Sequence, residues 1–237
     1  MNIRKLILLI ILLTSLFFIK GDILAVEQKI PQSFLYLTWE SDGMTPIDYQ
    51  AKALPTRYAI IKTSVQPLIY SNGRYLNSDQ WSYHWYIDDV LVNQGQGLKE
   101  NRFLVKDPNK TTYVIKVKVL SSISSTPFEK SITINLVQPL VFVRPVGEKN
   151  ISDNYSLVSD IIELEAVPFF FGSYDPSQLH YMWTINNKRY SQFDNQKSIF
   201  LPHLQDDPET FKINLLIEDL RDIIIRAGSA ININFIR

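Results

Sequence analysis

The sequence predicts an all-β protein built from two β-sandwiches in tandem behind an N-terminal export segment. Three observations carry that expectation. Past residue 25, apolar and polar residues alternate with a period of two in short blocks rich in Ile, Val, Tyr and Phe, bounded by Asn, Asp, Gly, Ser and Pro. Helical spacing is nearly absent. The blocks also recur: Tyr83-His84-Trp85-Tyr86-Ile87-Asp88-Asp89 returns as Tyr181-Met182-Trp183-Thr184-Ile185-Asn186-Asn187, and Tyr113-Val114-Ile115-Lys116-Val117-Lys118-Val119 returns as Phe211-Lys212-Ile213-Asn214-Leu215-Leu216-Ile217, both at an offset of 98 residues.

The chain opens on Asn2-Ile3-Arg4-Lys5, a basic start, followed by Leu6 to Ile19, apolar apart from Thr14 and Ser15. Such a run suits the apolar region of a secretory signal peptide better than a spanning helix, which needs roughly 20 residues. Ala25 is the expected last residue before cleavage, although Ile23 stands where a small residue is usual. An uncleaved N-terminal membrane anchor is the other reading of residues 1–25. On either reading the chain is exported, to the extracellular space, the cell surface or the periplasm. It has no cysteine, so the exported part must be held by its apolar core. Hydrophobic residues at 46% against 20% charged supply enough apolar area for that. Lys and Arg balance Asp and Glu at 24 each, and no basic run follows the leader. That removes the electrostatic case for nucleic acid or an anionic membrane surface, leaving membrane contact only through the N-terminal segment.

Copy one is expected over residues 27–138 and copy two over residues 139–237. The seam falls at Val137-Gln138-Pro139, where a proline closes one strand and Leu140-Val141-Phe142-Val143 begins the next. Val65–Tyr70 parallels Ala166–Phe171, and Ser131–Val137 parallels Ala230–Ile236. In residues 81–89, WSYHWYIDD, the side chains of Tyr83, Trp85 and Ile87 share a face, and the same positions in copy two are Tyr181, Trp183 and Ile185. A face written twice is a core face, so Trp85 and Trp183 are expected as core residues, with Tyr113 and Phe211 beside them on a later strand. His84 and Tyr86 point the other way and become Met182 and Thr184, so the catalytic-looking half of the cluster is not repeated. Asp88-Asp89 and Asn186-Asn187 are turn pairs leading into hairpins. Antiparallel strands with one buried face need a second sheet over them, which makes each copy a sandwich.

The strand tryptophan, the Asp-Asp or Asn-Asn turn and Tyr113 further on resemble the immunoglobulin-like and PKD-like sandwiches of bacterial surface proteins. The resemblance implies a tyrosine corner at Asp107 and Tyr113, in which the phenol bonds to backbone upstream; copy two has Phe211 there and lacks it. The missing cysteine pair departs from antibody-type domains and favours the PKD-like kind. More narrowly, Leu37-Thr38-Trp39-Glu40 with Tyr49, Lys52, Ala53, Leu54 and Pro55, then Gly95, Gly97 and Asn101, resembles a family of secreted two-domain proteins of small-genome bacteria, and that resemblance implies no particular activity.

Chemistry finds little support. His84, His180 and His203 share no metal-ligand spacing. Gly95-Gln96-Gly97 lacks the third glycine of a dinucleotide loop and reads as a hairpin loop, and Ala227-Gly228-Ser229-Ala230 is not a nucleophile elbow. Asp206-Asp207-Pro208-Glu209 and Asp88-Asp89 offer oxygens to calcium without the alternate spacing of a dedicated loop, and read as turn acids. No catalytic residue, cofactor or metal is expected. Two segments break the repeat and form the expected binding surface. The insertion Ser41–Pro55 offers Tyr49 and Lys52, with a cover over a sheet edge by Tyr49 and Leu54 as the alternative. Val167–Tyr174 offers Phe169, Phe170, Phe171 and Tyr174; three consecutive aromatics on a strand cannot share one core face, so one must meet the other copy, a partner or solvent. Contact between the copies is the favoured outcome.

The functional expectation is a non-enzymatic, exported cell-envelope or surface module, structural or binding through sandwich edges and loops, with a role accessory to a pilus or secretion assembly as one form. Its partner is an envelope or surface protein, or a glycan. The alternative is a calcium-dependent carbohydrate-binding module, or an accessory domain of a carbohydrate-active enzyme or peptidase with its chemistry at Asp48, Tyr49 and His84.

Overall fold

A computed structural model describes residues 33–71, 73–107, 109–158, 161–172, 175–204 and 207–236. The leader, Tyr174 and Asp206 lie outside the described residues. Strands dominate, and the helical content of the described residues is two short 3-10 turns at Pro176–Gln178 and Ser191–Phe193. No helix among them is long and apolar enough to cross a membrane.

In the first half, β1 (Ser33–Ser41), β2 (Ile60–Ser71), β3 (Arg74–Tyr75) and β6 (Glu100–Leu104) form one sheet, with β6 pairing β2. The second sheet runs β5 (Val90–Gln96), β4 (Ser82–Ile87), β7 (Thr112–Leu120), β8 (Phe128–Asn135). In the second half, β14 (Ser198–Pro202), β11 (Ile161–Phe169) and β9 (Leu140–Pro145) lie in that order. Their companion sheet runs β10 (Asn154–Leu157), β16 (Asp222–Phe235), β15 (Thr210–Asp219), β12 (Leu179–Ile185), β13 (Lys188–Arg189). Both halves are immunoglobulin-like sandwiches.

The repeat extends to strand register. Ile60 faces Leu104 and Ser64 faces Glu100 across β2 and β6; Ile161 faces Pro202 and Glu165 faces Ser198 across β11 and β14. Ser82 faces Leu120 as His180 faces Glu218, and Thr112 faces Asn135 as Thr210 faces Asn234. Each core tryptophan donates its indole N–H to a carbonyl at the same remove, Trp85 to Leu98 and Trp183 to Gln196, both at 2.9 Å. The turn pairs match in backbone: Asp88 and Asn186 have φ 49°, Asp89 and Asn187 φ 64°. Two consecutive left-handed residues make the tight hairpin turn whose twist suits paired strands, and Asp and Asn tolerate that region. The side chain of each first turn residue then accepts the backbone N–H of the neighbouring strand, Asp88 from Val114 and Asn186 from Lys212, at 2.9 Å.

One reading of the sequence is corrected. Gly95 and Gln96 belong to β5, and Gly97 (φ 67°) begins the crossing to β6 in the opposite sheet, so the segment is not a hairpin loop. The glycine is required there: a Cβ on Gly97 would lie 2.8 Å from the Asp79 carbonyl oxygen.

The chain forms two compact units. The described part of the smaller is Ser33, Phe34 and residues 69–71 and 73–76, in which Tyr70 and Tyr75 meet edge to face at 5.3 Å between centroids. The larger holds Leu35–Leu68 and Asn77 onward, and so the body of both sandwiches. In copy two, Val143, Leu164, Ala166 and Ile199 from one sheet are buried with Trp183, Ile213, Ile217 and Ile233 from the other. Copy one buries Ile61 and Val65 with Tyr83, Trp85, Ile115, Val117 and Ile134. At roughly 2 kcal/mol for each large apolar side chain removed from water, these layers supply the main favourable contribution to each sandwich.

Candidate functional site

The connection from β1 to β2 leaves copy one and lands on copy two. Met44, in the middle of the insertion, is 3% exposed and belongs to the core of copy two. Its backbone is stitched in on both sides: the Met44 N–H donates to the Gly172 carbonyl at 3.1 Å, and the Phe170 N–H donates to the Met44 carbonyl. Tyr49 follows, its ring edge-on to Phe169 at 5.6 Å and to Phe170 at 6.0 Å, while Phe169 meets Phe142 at 5.6 Å. Arg144 on β9 bonds Glu165 at 2.8 Å and reaches Asp48 of the insertion at 3.5 Å. A cleft of about 260 Å³ remains between Thr45–Asp48 on one side and Arg144, Glu165, Pro168 and Lys197 on the other.

The three consecutive phenylalanines now separate. Phe169 ends β11 half-buried under Tyr49, and Phe171 is fully buried in the core of copy two. Between them the chain leaves strand geometry: Phe170 has φ 61°, a region that a bulky side chain enters only when its surroundings enforce it, at a cost of about 1–3 kcal/mol. The bond to Met44 and the packing against Tyr49 are what enforce it. Gly172 (φ 41°) completes the bend, where a Cβ would lie 2.3 Å from the Arg221 guanidinium. Phe170 and Phe171, expected as partner-binding residues, are 7% and 0% exposed and offer a partner no surface. Their hydrophobic area is spent within the chain.

A second set of contacts flanks the first. Tyr58 (φ 65°) meets two guanidinium groups, the Arg57 and Arg221 carbons each 5.2 Å from its ring centroid. Arg57 pairs with Asp222 at 2.5 Å. Arg221 grips Asp219, which is 0% exposed, through Nε at 2.9 Å and Nη2 at 2.5 Å, a two-pronged geometry that satisfies a carboxylate out of water. That hydrogen bond to Asp219 holds the guanidinium pKa above its ordinary value, with burial working the other way. The Val137 N–H donates to the Pro55 carbonyl at 2.9 Å, tying the end of the insertion to the seam. None of Met44, Arg57, Tyr58 or Arg221 stands out in the sequence, because each lies in a connection or turn between strands and makes a contact with the other copy that no local pattern announces.

Lys52 is not part of this cluster. It is an exposed residue, its ammonium sits 3.3 Å from the Trp39 ring centre, and burial lowers its pKa against the raising influence of Glu40. Tyr49 bonds back to the Lys52 carbonyl at 3.3 Å. Trp85 and Trp183 are fully buried, Tyr113 and Phe211 nearly so. The Tyr113 phenol is hydrogen-bonded to the Asp107 backbone, and burial pushes its pKa up. Phe211 packs instead against Phe235 at 5.4 Å. His84 is half-buried, His180 lies 4.0 Å from Glu218, and His203 stacks on Phe235 at 4.0 Å. Among the described residues no three of His, Cys, Asp and Glu gather as metal ligands.

No family model and no curated protein matches the chain. Among solved structures it is similar to the fibronectin(III)-like modules of CbhA from Clostridium thermocellum, at 12% identity over 81% of this chain and 94% of that one, with a TM-score of 0.29. It is also similar to the central fibronectin-III array of RIM-binding protein, at 12% identity over 83% and 69%, with a TM-score of 0.27.

Proposed function

We propose that the chain is a non-enzymatic, exported module of the cell envelope or surface, in which two coupled sandwiches present edges and loops to a protein partner. The observation that carries the reading is the seating of Met44 in the core of copy two. A segment that breaks the repeat is used to couple one sandwich to the other, which is what a module that must hold two surfaces in fixed register requires and what a free binding loop does not. The two phenylalanines that a ligand site would expose are turned inward for the same purpose. A place beside a pilus or secretion assembly is one form of this role, and residues 1–25 would set whether the module is released or tethered.

In-cell cross-linking of the tagged full-length protein, with mass spectrometry of the linked peptides, tests the reading. The expected result is reproducible linkage to one envelope protein from sites on the sandwich edges or the exposed part of the insertion around Ile47. Recovery of the protein alone would sink it and bring forward the glycan-binding alternative. A melt with and without a calcium chelator then addresses that alternative, since a ligand bound only to the folded form raises its stability.

A further inference from the structure

We infer that the open edge of β16 between Arg226 and Ala230 binds a short extended segment of the protein partner by strand addition, an inference that rests on the binding role proposed above and names its mode. The edge is already shown to take a strand. β10 pairs with Asn232–Phe235 in parallel, and the Asn232 N–H donates to the Asp153 carbonyl at 2.8 Å. Backbone direction alternates along a strand, and Asn232 points away from β15; Arg226, Gly228 and Ala230, which share its parity, therefore turn their N–H and C=O groups to the same open side. Among the described residues these three donor–acceptor pairs, spaced by about 6.8 Å, form an unfilled ladder.

The stretch is closed at both ends. β10 occupies the edge from Asn232 onward, and before Arg226 the register on β15 is irregular, with the Asp222 carboxylate folded back onto the Ile224 N–H at 3.1 Å. A five-residue strand fits and a longer one does not. A second copy of β16, 14 residues long, would run into β10, which argues for a separate partner segment that turns away at each end. Beside the edge lies a groove of about 400 Å³ between Leu140–Phe142 of β9 and Ala227–Ala230 of β16, with Asp153 at one end. Side chains of the added strand that face inward would enter this groove, which calls for small or branched apolar residues there. Arg226 at one end and Asp153 at the other complement an acidic and a basic residue at the ends of the incoming segment. A strand edge of this kind is normally guarded by lysine, proline or a bulge, and between Ala227 and Ala230 none of these is present.

The test uses the isotope-labelled full chain and two end-blocked pentapeptides, Lys-Val-Thr-Val-Asp and Asp-Val-Thr-Val-Lys, followed by amide shifts. The expected result is saturable shifts at millimolar peptide centred on Arg226, Gly228 and Ala230, with one of the two orders stronger. Ala230→Pro removes one outward donor while sparing the bonds to β15, a change that edge strands accommodate. It should weaken binding about five- to ten-fold, the worth of one backbone hydrogen bond. A peptide N-methylated on its pairing side, tested on the unaltered chain, should bind more weakly by a similar factor. The inference is overturned if neither peptide shifts these amides, if the shifts lie elsewhere, or if both Ala230→Pro and N-methylation leave binding unchanged. It is equally overturned if sedimentation shows self-association that Ala230→Pro abolishes, since the occupant is then a second copy. Cross-linking to a partner through another surface would leave the binding role standing without this edge.

Discussion

At the residue scale, the two copies provide internal controls. Trp85 and Trp183 are both fully buried and make matching indole bonds at 2.9 Å, so replacing either by Phe removes the same donor and leaves a carbonyl unsatisfied. Trp85→Phe and Trp183→Phe should each cost about 2–3 kcal/mol in urea unfolding, and nearly equally. Asp88 differs from its counterpart Asn186 only in carrying charge: burial works to raise its pKa, but Lys110 and the Val114 N–H hold it below the usual carboxylate range. A carboxyl depressed in the folded state stabilises above its unfolded pKa, and that contribution is lost as pH falls through the folded value. Asp88→Asn should therefore cost within about 1 kcal/mol at neutral pH and flatten the acid side of the stability curve, whereas Asp88→Ala, which strains the φ 49° turn, should cost more at every pH. The tryptophans and turn pairs are legible in sequence because the repeat writes them twice. Phe170 is not, since its left-handed backbone is imposed by Met44, a residue over a hundred positions away.

At the element scale, the insertion between β1 and β2 is the element whose role the sequence locates without explaining. Its lack of a counterpart in copy two marks it as special, and the absence of periodicity hides which of its residues is buried. Met44→Ala should remove a side chain from a core that lies in the other sandwich, at about 2–5 kcal/mol. The distinguishing outcome is where the loss appears: unfolding followed by Trp183 should shift to lower urea, while a loss seen only at Trp85 would contradict the seating of Met44. Strand edges were legible only in part. Alternation fixes which face of β16 is buried, but which stretch of its edge β10 covers depends on a parallel pairing that no local pattern announces.

At the scale of the whole molecule, the all-β class and the repeated sandwich follow from period-two alternation and the 98-residue offset, and the structure carries that repeat into strand register. The coupling of the sandwiches does not follow from either, because it is made by Met44, Tyr49, the Arg57–Asp222 ion pair and Arg221 over the Tyr58 ring, each a long-range contact. If the coupling is as tight as these contacts indicate, the two sandwiches unfold with linked midpoints, and Arg57→Ala, which breaks the pair with Asp222 and leaves Tyr58 with one guanidinium, should pull those midpoints apart. Hydrogen exchange of the full-length protein tests the coupling most directly. The amides of Met44 and Phe170 should exchange as slowly as those of Ile213 and Leu215 in the core of copy two; exchange at the rate of an open loop would show that the insertion does not hold the sandwiches together.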